Sequence, residues 1–150
     1  KTASLIANSC RAAGVLSGCS PSQLDSLYQF GRQLGLAFQV VDDILDFTGS
    51  DQQLGKPAVS DLASGYLTAP TFYALEEHPS LQPLIDRQVS EPGDLDKALE
   101  MVRASKAIER TRELAETFAR ESRESIAWLP ESAAQRALME LPDFVLSRLY

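Results

Sequence analysis

The chain has 150 residues, 44% hydrophobic and 23% charged, the make-up of one globular domain with a sizeable core. A formal net charge of −7 argues against a nonspecific nucleic-acid binder and against a basic membrane-surface module. No apolar run approaches the ~18 residues of a membrane-crossing helix. Two cysteines, Cys10 and Cys19, come without a CxxC step or a histidine pattern. They argue against a zinc site and for a reduced compartment, with a single disulfide left open. The chain opens on Lys1-Thr2 without an initiator methionine, a signal peptide or a transit peptide, and reads as a piece cut inside a structural element.

Residues 2–16 carry a helical stripe of small and apolar residues, Ala3, Ile6, Ala7, Cys10 and Ala13, which suits close helix–helix approach. The step Ser17-Gly18-Cys19 ends it. Ser20-Pro21-Ser22-Gln23 then restarts a helix with a serine cap, a proline at the first position and a glutamine three residues after the cap. That helix runs without a breaker to Phe47, with Leu24, Leu27, Phe30, Leu34, Phe38, Val41 and Leu45 at helical spacing. Gly31 and Gly35 share a face with Gln39, either leaving backbone bare beside a polar site or packing closely on a neighbouring helix.

Residues 49–66 read as a Gly-, Ser- and Asp-rich loop carrying Leu54-Gly55-Lys56-Pro57, a geometry able to aim one ammonium back over the preceding helix end. Further helices are expected from Thr68 to about Glu77, around Leu81–Gln88, over 95–104 with Asp94 as N-cap, over 106–128, and over 133–141. His78 is expected at a helix C-terminus or on the surface, and Trp128 in the core. The mixed charges from Glu109 to Glu116 read as a solvated face. No strand alternation occurs anywhere, so the expected class is all-α.

The chemistry concentrates in Phe38-Gln39-Val40-Val41-Asp42-Asp43-Ile44-Leu45-Asp46-Phe47. Asp42 and Asp46 are four residues apart and stack on one helix face, with Asp43 flanking and Gln39 one turn earlier. Three acids in the last turns of a helix oppose its dipole, at about 0.3–1 kcal/mol each. A hard divalent cation such as magnesium turns that penalty into a binding site, and a solvated acidic helix end is the alternative.

The run GLAFQVVDDILDFTGSDQQLGKPAVSDLASGYLTAP, from Gly35 to Pro70, resembles the second aspartate-rich region of trans-isoprenyl (polyprenyl) diphosphate synthases, closest to the long-chain, solanesyl-type members. The opening KTASLIANSCRAAG resembles that family's Lys-Thr helix, and IERTRELAETFA and LPDFVLSRLY resemble its last two helices. The resemblance implies an all-α chain forming the C-terminal half of an isoprenoid synthase bundle, residues 1–150, with the half holding the first aspartate-rich motif absent. It implies a magnesium-dependent prenyltransferase joining isopentenyl diphosphate to an allylic prenyl diphosphate, a homodimer when intact, in a plastid, a mitochondrion or a bacterial cytoplasm.

Residue by residue, the resemblance makes Asp42 the direct magnesium ligand, with Asp43 and Asp46 acting through water or holding geometry. Lys1 and Lys56 contact the diphosphate, and Thr2 and Gln39 line the pocket. Many members have a lysine where this chain has Tyr66, and a tyrosine supplies no permanent positive charge for that phosphate contact. Two other readings compete: a non-catalytic helical interaction or regulatory subunit derived from the family, and a terpene cyclase. Retention of Lys1, Thr2, Gln39, Lys56 and all three aspartates favours the enzyme. The Gly-Lys-Pro loop argues against the cyclase.

Overall fold

The computed structural model describes residues 1–48 and 60–150. Every regular element among them is helical: α1 (Thr2–Leu16), α2 (Pro21–Thr48), α3 (Ser60–Ala63), α4 (Ala69–Glu77), a 3-10 turn (Pro79–Leu81), α5 (Gln82–Asp86), α6 (Asp94–Ala104), α7 (Ala107–Ser125) and α8 (Ala133–Ser147). The all-α class is as the sequence predicts. Lys56 and the Gly-Lys-Pro loop lie outside the described residues. The chain divides into two compact units, Lys1–Val41 with Leu114–Tyr150, and Asp42–Glu113.

In the first unit the connection between α1 and α2 is built from local capping chemistry. Gly18 adopts φ 72°, a left-handed conformation that costs glycine little. The amides of Gly18 and Cys19 then donate to the carbonyls of Val15 and Gly14 at 3.1 and 3.0 Å, satisfying the end of α1. Next comes a reciprocal capping box. The Gln23 amide donates to Ser20 Oγ at 3.4 Å, and the Ser20 amide donates to Gln23 Oε1 at 2.8 Å.

Close approach of two backbones then holds α1 against α2. A Cβ placed on Gly31 would lie 2.7–2.9 Å from backbone atoms of Ile6 and Ala7, and one on Gly35 would lie 2.5 Å from Ala3 Cα. The glycine face is therefore a packing seam, filled by α1 rather than left bare. Around it the core collects Ala7, Phe30, Leu34, Ala37, Val40, Val41, Ala115, Ala119, Ile126 and Val145. Ser122, fully buried on α7, donates to the Phe30 carbonyl at 3.1 Å, and Gln33 donates to Glu121 at 2.7 Å.

Two sequence expectations fail in this unit. Trp128 is 38% exposed rather than core, because α7 ends at Ser125 and leaves it on the following turn. There it lines an apolar cavity of about 320 Å³ with Leu27, Phe30, Leu129 and Leu138. The C-terminal helix also does not stop at Leu141. It continues through a buried Pro142 to Ser147, where burial of Val145 offsets the hydrogen bond that proline cannot donate.

The second unit packs Phe47, Leu62, Ala74, Leu81, Leu84, Ala98, Val102 and Ala107 into one cluster. α3 falls inside the segment expected to be loop. Asp94 begins α6 behind the left-handed Gly93, and it does not act as the N-cap. Its buried carboxylate instead accepts from Arg87 Nε and Nη2 at 2.7 and 2.5 Å and from the Glu91 amide at 3.2 Å. The Arg87 hydrogen bonds hold its carboxyl below the usual carboxylate range. Nor is the α7 charge run wholly solvated, since Arg110 pairs with Glu76 at 2.7 Å and lies 4.1 Å over the Tyr73 ring.

The glycine seam gives a direct test. Gly35→Ala forces a methyl into the Ala3 backbone, which has no rotamer to move, and overpacking of this kind costs about 1–3 kcal/mol. The expected result is a clearly lower urea midpoint, and an unchanged midpoint would show that the two helices can separate freely.

Candidate active site

The acids sit at the C-terminal end of α2 and belong to the second unit. Thr48 Oγ1 donates to the Ile44 carbonyl at 3.0 Å in the last turn. Asp42 and Asp43 are half-buried, whereas Asp46 is only 2% exposed. Asp46 Oδ2 accepts a hydrogen bond from the Asp61 amide, at the start of α3, at 3.2 Å. The backbone amide of Ala69, the first residue of α4, lies near enough to Asp43 to pull its carboxyl down.

Burial is the largest influence on Asp43 and pushes its carboxyl up to about 6. The Ala69 amide pulls the other way, and the negative charges of Asp61, Asp42 and Asp46 push up again. Among the described residues, every charge acting on Asp43 is thus another carboxylate. Asp61 is a member of this acidic group that the sequence reading missed. Its only local signal is a position in the first turn of a four-residue helix.

Among the described residues, no three His, Cys, Asp or Glu side chains are gathered so as to hold an ion by themselves. The donor set, carboxylates with an amide side chain nearby in sequence, is that of a hard cation.

Lys1, Thr2 and Gln39 belong to the first unit. Ala7 meets Gly31 and Ala3 meets Gly35, so α1 and α2 run antiparallel. Continued by half a turn, that register brings Lys1 and Thr2 alongside the turn of α2 that leads to Gln39. Lys1, the N-cap of α1, and Gln39 are exposed, and Thr2 is half-buried. Phe38, next to Gln39, lies 4.6 Å beneath the Arg148 guanidinium of the C-terminal segment, a contact the sequence did not reveal. Tyr66 is 68% exposed.

A family model described as polyprenyl synthetase matches residues 1–102. A prenyl transferase of Synechocystis sp. is 53% identical over 150 residues, which are all of this chain and 46% of that protein. The apo form of an Arabidopsis medium/long-chain length prenyl pyrophosphate synthase matches with a TM-score of 0.89 and 44% identity, covering 100% of this chain and 52% of the other. A polyprenyl synthase of Caulobacter crescentus, solved with calcium and isoprenyl diphosphate, matches with a TM-score of 0.87 and 34% identity, covering 100% and 47%. The chain thus spans about half the length of these relatives.

The Asp43 carboxyl predicts a pH signature in metal-free buffer. Its value in the fold, about 6, is higher than the 3.8 of a free side chain. The unfolded chain therefore releases the proton first, and stability falls as pH rises from about 4 through about 6 and stays lost above. Asp43→Asn removes that loss. The melting temperature of the variant relative to the parent should rise between pH 4.5 and 7.5, and an offset independent of pH would contradict the assignment.

Proposed function

Because the chain belongs to the polyprenyl synthetase family, we propose that it is part of a polyprenyl diphosphate synthase joining isopentenyl diphosphate to an allylic prenyl diphosphate. We assign it to the C-terminal half of the catalytic domain and to an enzyme of the long-chain, solanesyl type that is a homodimer when intact. The observation that carries the reading is the group of carboxylates at the end of α2, where Asp61, Asp42 and Asp46 all push the Asp43 carboxyl up. Support for the substrate class comes from the Caulobacter relative, whose structure holds calcium and isoprenyl diphosphate.

In this reading Asp42 holds a magnesium ion, with Asp43 and Asp46 behind it. When bound, the ion supplies positive charge to the diphosphate of the allylic substrate. The chain's own groups do the rest. Lys1 and Lys56 bind the same diphosphate through their ammonium groups, and Thr2 and Gln39 add hydrogen bonds that orient it. As the allylic C–O bond breaks, negative charge grows on the departing diphosphate. Preplaced donors stabilise that charge more than they stabilise the substrate, which lowers the barrier. Small and apolar helix faces shelter the prenyl chain from water.

The α1 surface supports a chain completed by further polypeptide: Leu5, Val15 and Leu16 are 71%, 59% and 89% exposed. Alone, the 150-residue chain carries one wall of the active site and should show no or very weak elongation in an assay with farnesyl or geranylgeranyl diphosphate, isopentenyl diphosphate and magnesium. Robust elongation would overturn that assignment. In the intact enzyme, Asp42→Ala should lower kcat by orders of magnitude and weaken the magnesium dependence. Parental turnover with an unchanged magnesium titration would remove Asp42 as ligand.

A further inference from the structure

The end of α8 reaches α2 through a contact to which the proposed function gives no role. The Arg148 guanidinium lies 4.6 Å from the centre of the Phe38 ring, within cation–π range. Phe38 is half-buried, between the fully buried Ala37 and the exposed Gln39. α8 does not depend on this contact for its place. Pro142 and Val145 are buried, and Arg123 of α7 pairs with Asp143. The amides of Arg148, Leu149 and Tyr150 donate to the carbonyls three residues earlier at 3.4, 3.1 and 3.2 Å, which keeps the last turn wound. An apolar side chain at 148 would cover the Phe38 ring as well. Arginine adds a charge there, on a flat group that suits stacking.

That charge falls at a particular level of α2. Gly35 meets Ala3 of α1, and Phe38 and Gln39 lie three and four residues farther along the same face. α1 therefore begins, with Lys1 and Thr2, at the turn on which Arg148 rests. Two cations from distant parts of the sequence are thus brought to one turn of α2, all within the first unit. The chain carries a formal net charge of −7, so most of its surface repels an anion. Local cations then decide where an anion can approach.

We infer that Arg148 is a further substrate-binding residue, whose guanidinium lends positive charge to the diphosphate end of the site, and that Phe38 is the residue that positions it. The choice of a diphosphate as ligand rests on the function proposed above. Placement of the charge rests on the Phe38 contact and on the register of α1 against α2.

Action through charge has a signature that a packing role lacks. One exposed charge acting on a polyanion across roughly 8 Å of water alters affinity about three- to tenfold at low ionic strength. At about 1 M salt the screening length falls to about 3 Å and the effect fades. In the intact enzyme, Arg148→Gln should therefore raise KM for farnesyl diphosphate about three- to tenfold in low salt, with kcat within about twofold. The rise should shrink below about twofold at about 1 M salt. Arg148→Lys, which keeps the charge, should hold KM near the parental value. Phe38→Leu should raise KM in the parent but not in the Arg148→Gln background, because the ring acts through the guanidinium.

A parental KM in Arg148→Gln, a rise that persists in high salt, or failure of Arg148→Lys to restore KM would overturn the inference. Equal shifts from Phe38→Leu in both backgrounds would overturn the part assigned to Phe38. Calorimetric binding of inorganic diphosphate with magnesium needs no turnover and separates this inference from the reading beneath it. Weaker binding by Arg148→Gln, in a polypeptide that elongates nothing, would leave the inference standing and defeat the proposed function alone. Equal binding by variant and parent would overturn the inference.

Discussion

Carboxylates at the C-terminal end of a helix lie where the backbone dipole repels them, and α2 ends with Asp42, Asp43 and Asp46. Two of the three face the start of another helix, where unpaired N–H groups attract anions: Asp46 meets the Asp61 amide and Asp43 the Ala69 amide. The arrangement turns an unfavourable location into a joint between three helices. It also keeps the second unit's returning chain in register with the core residues that follow, Leu62 on α3 and Ala74 on α4. The compensation is incomplete, because burial and the neighbouring acids still raise Asp43 to about 6.

A second constraint, steric rather than electrostatic, organises the first unit. Gly31 and Gly35 let α1 approach until its backbone touches α2, and the antiparallel register follows from that contact. It carries Lys1 and Thr2 to the level of the turn leading to Gln39. A methyl on Gly35 would therefore displace the helix that begins with Lys1. Farther along α2, the Arg148 guanidinium over Phe38 ties the C-terminal segment to the same turn.

Features set by local chemistry were legible in the sequence. The ends of α1 and the start of α2 follow from Gly18 and from the Ser20–Gln23 capping box, whose atoms lie within a few residues of one another. The helical class and the acidic end of α2 follow from periodicity and spacing. What stayed hidden depends on partners distant in sequence. Asp61 and Ala69 reveal themselves as neighbours of the acids only once α3 and α4 fold back. Asp94 reads as an N-cap until Arg87 is seen to claim its carboxylate. Pro142 reads as a helix stop, but its own burial and that of Val145 carry the helix onward. The glycine face was legible as an alternative between bare backbone and close packing, and tertiary contact decided for packing.

Of all the roles assigned, that of Asp42 bears most directly on what the chain does. An anomalous-diffraction map of the intact polypeptide crystallised with manganese, standing in for magnesium, and an unreactive allylic diphosphate analogue would test it. The expected result is a metal peak about 2.1 Å from an Asp42 oxygen, with the diphosphate in the same shell. A metal there that Asp42 does not touch, or no metal at the end of α2, would contradict the assignment.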